Sequence, residues 1–215
     1  MELFDLTGKT AIITGSSRGI GEAIAVRMAE HGANVIISSR KEDACDAVTE
    51  AINAKYPGRA KTIAAHIGDK DALQNLVDET EKAFGQVDIL VCNAAVNPYF
   101  GPSADCPDDA FDRVMECNVK SNHWLMNMVI PGMKDRKDGA IIVISSIAGQ
   151  MVNQRLVFMV FQKLQILHWR VIWPLSMARI MFVPMPSRRV SLKLILLKRF
   201  GITLKFWKWR LPRRQ

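Results

Sequence analysis

Five short apolar runs punctuate the first 150 residues, and each is followed by a stretch of helical periodicity. Thr10–Ile13 (TAII) meets a glycine-rich turn and then IGEAIAVRMAEHGA. Asn34–Ser38 (NVIIS) precedes KEDACDAVTEAINAKYP, which runs out at Tyr56-Pro57. Ala60–His66 (AKTIAAH) precedes DALQNLVDETEKAFG, and Asp88–Cys92 (DILVC) precedes a long helix over Asp109–Met133. Ala140–Ser145 (AIIVIS) is the fifth run. Strands that are nearly all apolar and alternate with helices predict a parallel sheet covered on both faces. Right-handed crossovers then give an α/β fold with a Rossmann-like, doubly wound parallel sheet. Beyond residue 150 the alternation stops, so the sheet is expected to be truncated after the fifth strand. Apolar runs there are broken by Gln162, Lys163, Gln165, His168 and Arg170. No span of about 18–20 apolar residues exists, and no membrane helix is expected.

The chemistry-bearing motifs fall at strand C-termini, where open α/β sheets bind ligands. Thr14-Gly15-Ser16-Ser17-Arg18-Gly19-Ile20-Gly21 follows the first strand and opens the first helix. Gly15 permits the tight turn, Gly19 lets backbone approach a pyrophosphate, and Gly21 lets the helix pack close with its amides facing the phosphates. Gly15, Ser17, Arg18, Gly19, Ile20 and Gly21 are thus candidate dinucleotide contacts, and residues 1–150 form an NAD(P)-binding Rossmann domain. The second strand ends Ser38-Ser39-Arg40, where an NAD-selective site usually offers an acid to the ribose 2′-hydroxyl. Hydroxyls and a guanidinium suit a 2′-phosphate, with Arg18 able to help, so Ser39 and Arg40 favour NADP over NAD.

Together TGSSRGIG, CNAAVNP, ECNV and VISSIAG resemble the short-chain dehydrogenase/reductase (SDR) family, in its carbonyl-reductase and 3-oxoacyl-reductase-like branch. The resemblance covers residues 5–149. It implies that Asn93, Ala94 and Ala95 line the cofactor's adenosine side and steady the fourth strand. It implies that Asn118 is the asparagine of a catalytic tetrad and that Ser146 binds the substrate carbonyl oxygen. Many relatives carry an Asp after the third strand. This chain has His66-Ile67, which points to backbone contact with adenine.

In that family a tyrosine thirteen residues beyond the serine supplies the proton, and a lysine four residues later lowers its pKa and holds the nicotinamide ribose. The position is Met159, a thioether with no proton to give. Lys163 stands at the lysine position, in VFMVFQKLQ rather than YxxxK, and the only tyrosines are Tyr56 and Tyr99. Composition breaks at the same place. All 21 acidic residues precede residue 150, together with 15 of the 29 basic ones; residues 151–215 hold the other 14 and no acid. The net charge of +8 therefore comes from the tail.

A shift of reading frame accounts for both. With permitted synonymous codons, joining each third base to the next two lets Leu156 to Arg170 read G-V-Y-G-I-S-K-A-A-D-F-A-L-A, a YxxxK segment. Ser176 to Val190 can read Y-G-T-H-N-V-R-A-N-A-I-A-P-G, which is similar to the family's sixth strand and nicotinamide loop. Met159, Trp169, Met177, Met181, Met185 and Trp207, each with a single codon, fit without adjustment. Residues 151–215 are accordingly expected to be an out-of-frame, poorly folded tail, with the slip near Gly149–Val152.

The function expected is NADP(H)-dependent reduction of a carbonyl, or oxidation of a secondary alcohol, impaired in this chain. A catalytically dead nucleotide-binding pseudo-enzyme is the alternative, and a basic-tailed nucleic-acid or lipid-binding protein the second. The expected partner is a small carbonyl or alcohol, without nucleic acid or membrane. The family's homo-oligomer is not expected of this chain, whose helices lack the missing half. Cys45, Cys92, Cys106 and Cys117 lack metal-ligand spacing, so no metal site is expected. MELFDLTGK has no signal-peptide pattern, and the cytoplasm is the default compartment.

Overall fold

The structure, a computed structural model, describes residues 4–146 and 179–185. It contains the doubly wound sheet. Strands β1 (Thr10–Thr14), β2 (Asn34–Ser38), β3 (Ala60–Thr62), β4 (Ile89–Cys92) and β5 (Ala140–Ser146) alternate with helices α1 (Gly19–Glu30), α2 (Glu42–Asn53), α3 (Lys70–Phe84), α4 (Asp108–Met115) and α5 (Ser121–Arg136). With a sixth strand, β6 (Arg179–Met185), all pairings are parallel and the order is β3-β2-β1-β4-β5-β6. The order reverses between β1 and β4, which opens a crevice above the C-terminal end of β1.

Two cores show why the strands read as continuous apolar runs. Successive side chains alternate between faces. Ile12, Ile36, Leu90, Ile141 and Val143 pack with Leu73, Leu76 and Val77 of α3 and Leu125, Met126 and Val129 of α5. Ala11, Ile13, Val35, Ile37 and Val91 pack with Ala25 and Ala29 of α1 and Cys45, Val48 and Ile52 of α2. Both sheet faces are therefore dry, and each fully buried Ile or Leu contributes about 1.5–3 kcal/mol. Local signals agree with this packing. Asp69 caps α3 by accepting from the Asp71 and Ala72 amides at 2.9 and 3.1 Å, and Gly85 ends that helix at φ 85°.

Three details differ from the sequence expectation. The β3 ladder stops at Thr62 rather than His66, but the Ile63 amide still donates to Ile37 O and the Ala65 amide to Ser39 O, both at 3.1 Å. The long helix runs from Asp108 to Arg136 and is broken into α4 and α5 by a π-helical turn over Glu116–Lys120. The sheet also does not stop at five strands. β6 (Arg179–Met185, RIMFVPM) lies parallel to β5, with Ala140 opposite Arg179 and Ser146 opposite Met185. An apolar run containing Ile, Phe and Val suits a strand, and it covers an edge that β5 would otherwise leave open. Among the described residues no helix is long and apolar enough to cross a membrane.

Candidate functional site

β1 delivers its C-terminus to the crevice through a loop whose geometry depends on glycine. Gly15 has φ 67° and Gly19 φ 64°, conformations that L side chains rarely adopt. A Cβ on Gly15 would lie 3.0 Å from Ala94 Cα, and one on Gly21 would lie 2.6 Å from Asn93 Nδ2 and run into the Gly15 carbonyl. These two positions are filled by protein. Gly19 is different: nothing lies within 4 Å of its Cβ position, so the loop's open side is at Gly19, at the first turn of α1. Arg18 precedes the helix in extended backbone and makes no capping hydrogen bond with its side chain. The orphan amides of α1 therefore face this opening.

The loop is anchored on both sides. The Ser16 hydroxyl donates to Ile13 O at 2.7 Å and accepts the Ser38 amide at 2.9 Å, while the Gly15 amide donates to Ser38 O at 2.7 Å. Asn93 closes the other side, its Nδ2 donating to Thr14 O at 2.9 Å and Gly15 O at 3.2 Å. The Thr14 hydroxyl accepts from the Asn93 and Ala94 amides, both at 3.1 Å. Asn93 thus ties β4 to the glycine loop, with Ala94 packed beneath Gly15 and Ala95 exposed.

Asn118 lies in the π-helical turn and is 3 % exposed. Its Oδ1 accepts the Val96 amide and its Nδ2 donates to Val96 O, each at 2.7 Å. The side chain reads the backbone of the loop after β4 in both directions, so π turn and loop hold each other. Ser145, the penultimate residue of β5, lies on the same face as Ile141 and Val143; its hydroxyl is buried and makes no hydrogen bond. The Ser146 side chain lies outside what the structure describes, as do Met159 and Lys163.

At the other end of the crevice, Ser39 is half buried and Arg40 exposed. Ser38 is only 2 % exposed, so one hydroxyl of that pair reaches the crevice, not two. Both His66 ring nitrogens face donors: the Gly68 amide lies 3.0 Å from Nδ1, and Arg113 Nη2 lies 3.2 Å from Nε2. A neutral imidazole accepts at one nitrogen only, so the two compete. The Ile67 side chain packs on the α3 side of the core, which leaves backbone for a ligand there. Burial pushes the Cys117 thiol up, and Glu116 adds to this, while Arg113 and Arg40 pull against it. Burial pushes the Cys92 thiol up to about 12.

Thr14, Val96 and Arg113 were not singled out by sequence pattern. Thr14 carried the signal of a hydroxyl at a strand end. Val96 carried none, because only its backbone is used. A groove lined by Asp112, Met115, Glu116, Val119, Lys120 and His123 follows the other face of the α4–α5 helix and contains no predicted site residue.

The sequence profile described as short chain dehydrogenase matches residues 9–158. The chain belongs to the short chain dehydrogenase family. Dehydrogenase/reductase SDR family member 4 of Bos taurus is 39% identical over 143 residues, which are 66% of this chain and 51% of that protein. The Homo sapiens protein of that name is 38% identical over 143 residues, again 66% and 51%. The chain spans about half the length of the curated relatives it matches. Among solved structures, a metagenomic short-chain oxidoreductase in complex with NADP is 31% identical, with TM-score 0.78 over 86% of this chain and 85% of that one. A short-chain type dehydrogenase/reductase from Mycobacterium marinum is 32% identical, with TM-score 0.72 over 78% and 68%.

The family uses NAD(P), and the residues fit such a ligand. The open, positive-φ Gly19 at the head of α1 fits a pyrophosphate, and the exposed Arg40 beside Ser39 fits an anion.

Proposed function

We propose that this chain is the nucleotide-binding part of an SDR oxidoreductase that acts with NADP(H) on a carbonyl or secondary alcohol, and that its own turnover is strongly impaired. One juxtaposition carries the reading: the nucleotide loop is complete, and position 159 is methionine. When bound, NADPH supplies hydride to a carbonyl carbon. The loop amides and Gly19 receive the pyrophosphate, Ser39 and Arg40 with Arg18 receive the 2′-phosphate, and backbone at His66-Ile67 meets adenine. Asn118 holds the loop after β4 in place beside the reacting groups, and Ser146 hydrogen-bonds the carbonyl oxygen.

The carbonyl oxygen then needs a proton, and both tyrosines of the chain are engaged elsewhere. Tyr56 packs against the α1–α2 core. Tyr99 donates its hydroxyl to Pro102 O at 2.9 Å. Partial burial, then Asp105 and Cys106, push the Tyr99 phenol above its ordinary value, which makes it a poorer acid. A positioned proton donor contributes roughly 10²–10⁴-fold.

The reading-frame shift belongs to this proposal. It is supported by the absence of acidic residues after 150 and by the family match ending at residue 158, one short of Met159. NADPH should raise the melting temperature of the 215-residue chain while a panel of ketones and aldehydes yields no nucleotide oxidation above background. Turnover at ordinary reductase rates overturns the impairment. A coding sequence whose shifted frame over codons 145–165 does not spell YxxxK overturns the frame account.

A further inference from the structure

We propose that Cys45 is a positioning residue for the 2′-phosphate end of the nucleotide site, holding the Ser39 hydroxyl with its proton turned towards the ligand. The inference rests on the NADP(H) reading above. Ser38 is 2 % exposed and its amide is committed to Ser16, so Ser39 is the one β2-end hydroxyl that reaches the crevice. Its backbone is pinned, because Ser39 O accepts the Ala65 amide at 3.1 Å. Beneath it, Cys45 is fully buried among Val48 and Ile52 on α2, with its own amide bonded to Lys41 O at 3.3 Å. The Cys45 thiol donates to Ser39 Oγ at 3.3 Å.

The consequence follows from proton counting. A thiol offers one hydrogen and a serine hydroxyl offers one hydrogen and two lone pairs. With the thiol hydrogen taken into one lone pair, the hydroxyl proton has no role towards α2 and turns to the crevice. A phosphate accepts hydrogen bonds, so it gains from a hydroxyl fixed as a donor. A ribose 2′-hydroxyl both donates and accepts, so it is indifferent to which way Ser39 points. Cys45 should therefore act on the discrimination between NADPH and NADH rather than on nucleotide binding in general.

The test is calorimetric titration of the full chain with NADPH and with NADH, in Cys45→Val, Cys45→Ala, Cys45→Ser and Arg40→Ala. Both donor-less variants are included so that one failing to fold leaves the other. Cys45→Val and Cys45→Ala should weaken NADPH about fivefold with NADH unchanged, the size of one hydrogen bond. Cys45→Ser, which keeps a donor, should stay within about twofold of wild type. If NADPH and NADH weaken in parallel, Cys45 is packing alone and the inference is overturned. If Arg40→Ala loses NADPH affinity while Cys45→Val and Cys45→Ala do not, the inference fails and the NADP(H) reading stands. If Arg40→Ala leaves NADPH unchanged, or wild type binds neither nucleotide, the reading itself fails and the inference with it.

Discussion

The glycine loop at β1 and the tail strand β6 both belong to one sheet, yet they ask different things of the sequence. At β1, Gly15, Gly19 and Gly21 each meet a separate demand, and Thr14, Ser16 and Asn93 are spent on named backbone groups. Exchange of any of them changes the loop. At β6, seven residues pair with β5 in register, and a run of Ile, Met, Phe and Val suffices for that. A strand tolerates any apolar, β-prone run, whereas a site requires particular atoms at particular places. Twelve of the thirteen glycines and every acidic residue precede residue 150, so signals for turns, caps and sites concentrate there. The tail retains enough apolar character to extend the sheet.

The largest effect should come from repairing the tail. If the proposed frame shift holds, a gene with the frame restored from about codon 150 should gain carbonyl reduction by roughly 10²–10⁴-fold from the proton donor, with further gain from substrate positioning. Met159→Tyr alone recreates the YxxxK spacing with Lys163, yet under the proposed frame shift should stay near background, because its neighbours would still be the wrong residues. Steady-state NADPH oxidation decides both. If Met159→Tyr alone restores turnover, the contrast between strand and site collapses, since the tail would already hold a working frame.

Next is Gly21→Ala, which puts a methyl 2.6 Å from Asn93 Nδ2 and against the Gly15 backbone. Asn93 would leave Thr14 O and Gly15 O, and the loop would open. Overpacking of this kind costs about 1–3 kcal/mol, read as a lower urea midpoint, and NADPH protection should vanish. The same type of small-to-large change in β6, Val183→Ile, should leave the midpoint nearly unmoved.

Legibility in the sequence follows the same division. The fold was readable because apolar runs report strands whichever face each residue takes, and Ile12 and Ile13 do face different cores. The glycine loop was readable because positive φ and close approach leave few alternatives to glycine. The clamp between Asn118 and Val96 was not, because its partner is a peptide unit with no side-chain signature. Ser38 and Ser39 look alike in sequence, and only the pleat shows that one is buried and one is not. β6 was missed because its apolar residues carry no turn or cap to mark it out from its neighbours.

Asn118→Ala should cost about 1–3 kcal/mol, since it strands the Val96 amide and carbonyl in a partly buried loop. Asn118→Asp keeps the acceptor for the Val96 amide but faces Val96 O with an oxygen, so it should not rescue. Equilibrium urea unfolding reads both. A loss confined below about 0.5 kcal/mol in each would mean that the π turn holds without this clamp, and that Asn118 is not tied to the fold of the first part.

The smallest effect tests the electrostatics at the far end of the sheet. Lys9 Nζ donates to Asp138 Oδ2 at 2.7 Å and lies 4.0 Å from Asp88. The hydrogen bond from Lys9 holds the Asp138 carboxyl below its ordinary value, and the same bond raises Lys9. The lowered carboxyl contributes stability above an unfolded value near about 3.9, lost as pH falls through the folded one. The raised ammonium contributes stability below about 10.4, lost as pH rises through its folded value. The contribution is therefore flat between about pH 5 and pH 9.5 and fades on both sides. With side chains 39% and 63% exposed, Asp138→Asn should cost only about 0.5 kcal/mol at pH 7, and less in 1 M salt. Asp88, 3 % exposed, accepts the Thr10 amide at 2.9 Å and the Gln86 side chain at 2.8 Å, so it keeps partners when Lys9 is lost. Lys9→Met removes its nearby cation as well as the Asp138 bond, and should cost about 1 kcal/mol. A larger loss from Asp138→Asn than from Lys9→Met would place the weight on the exposed carboxylate and not on the buried one.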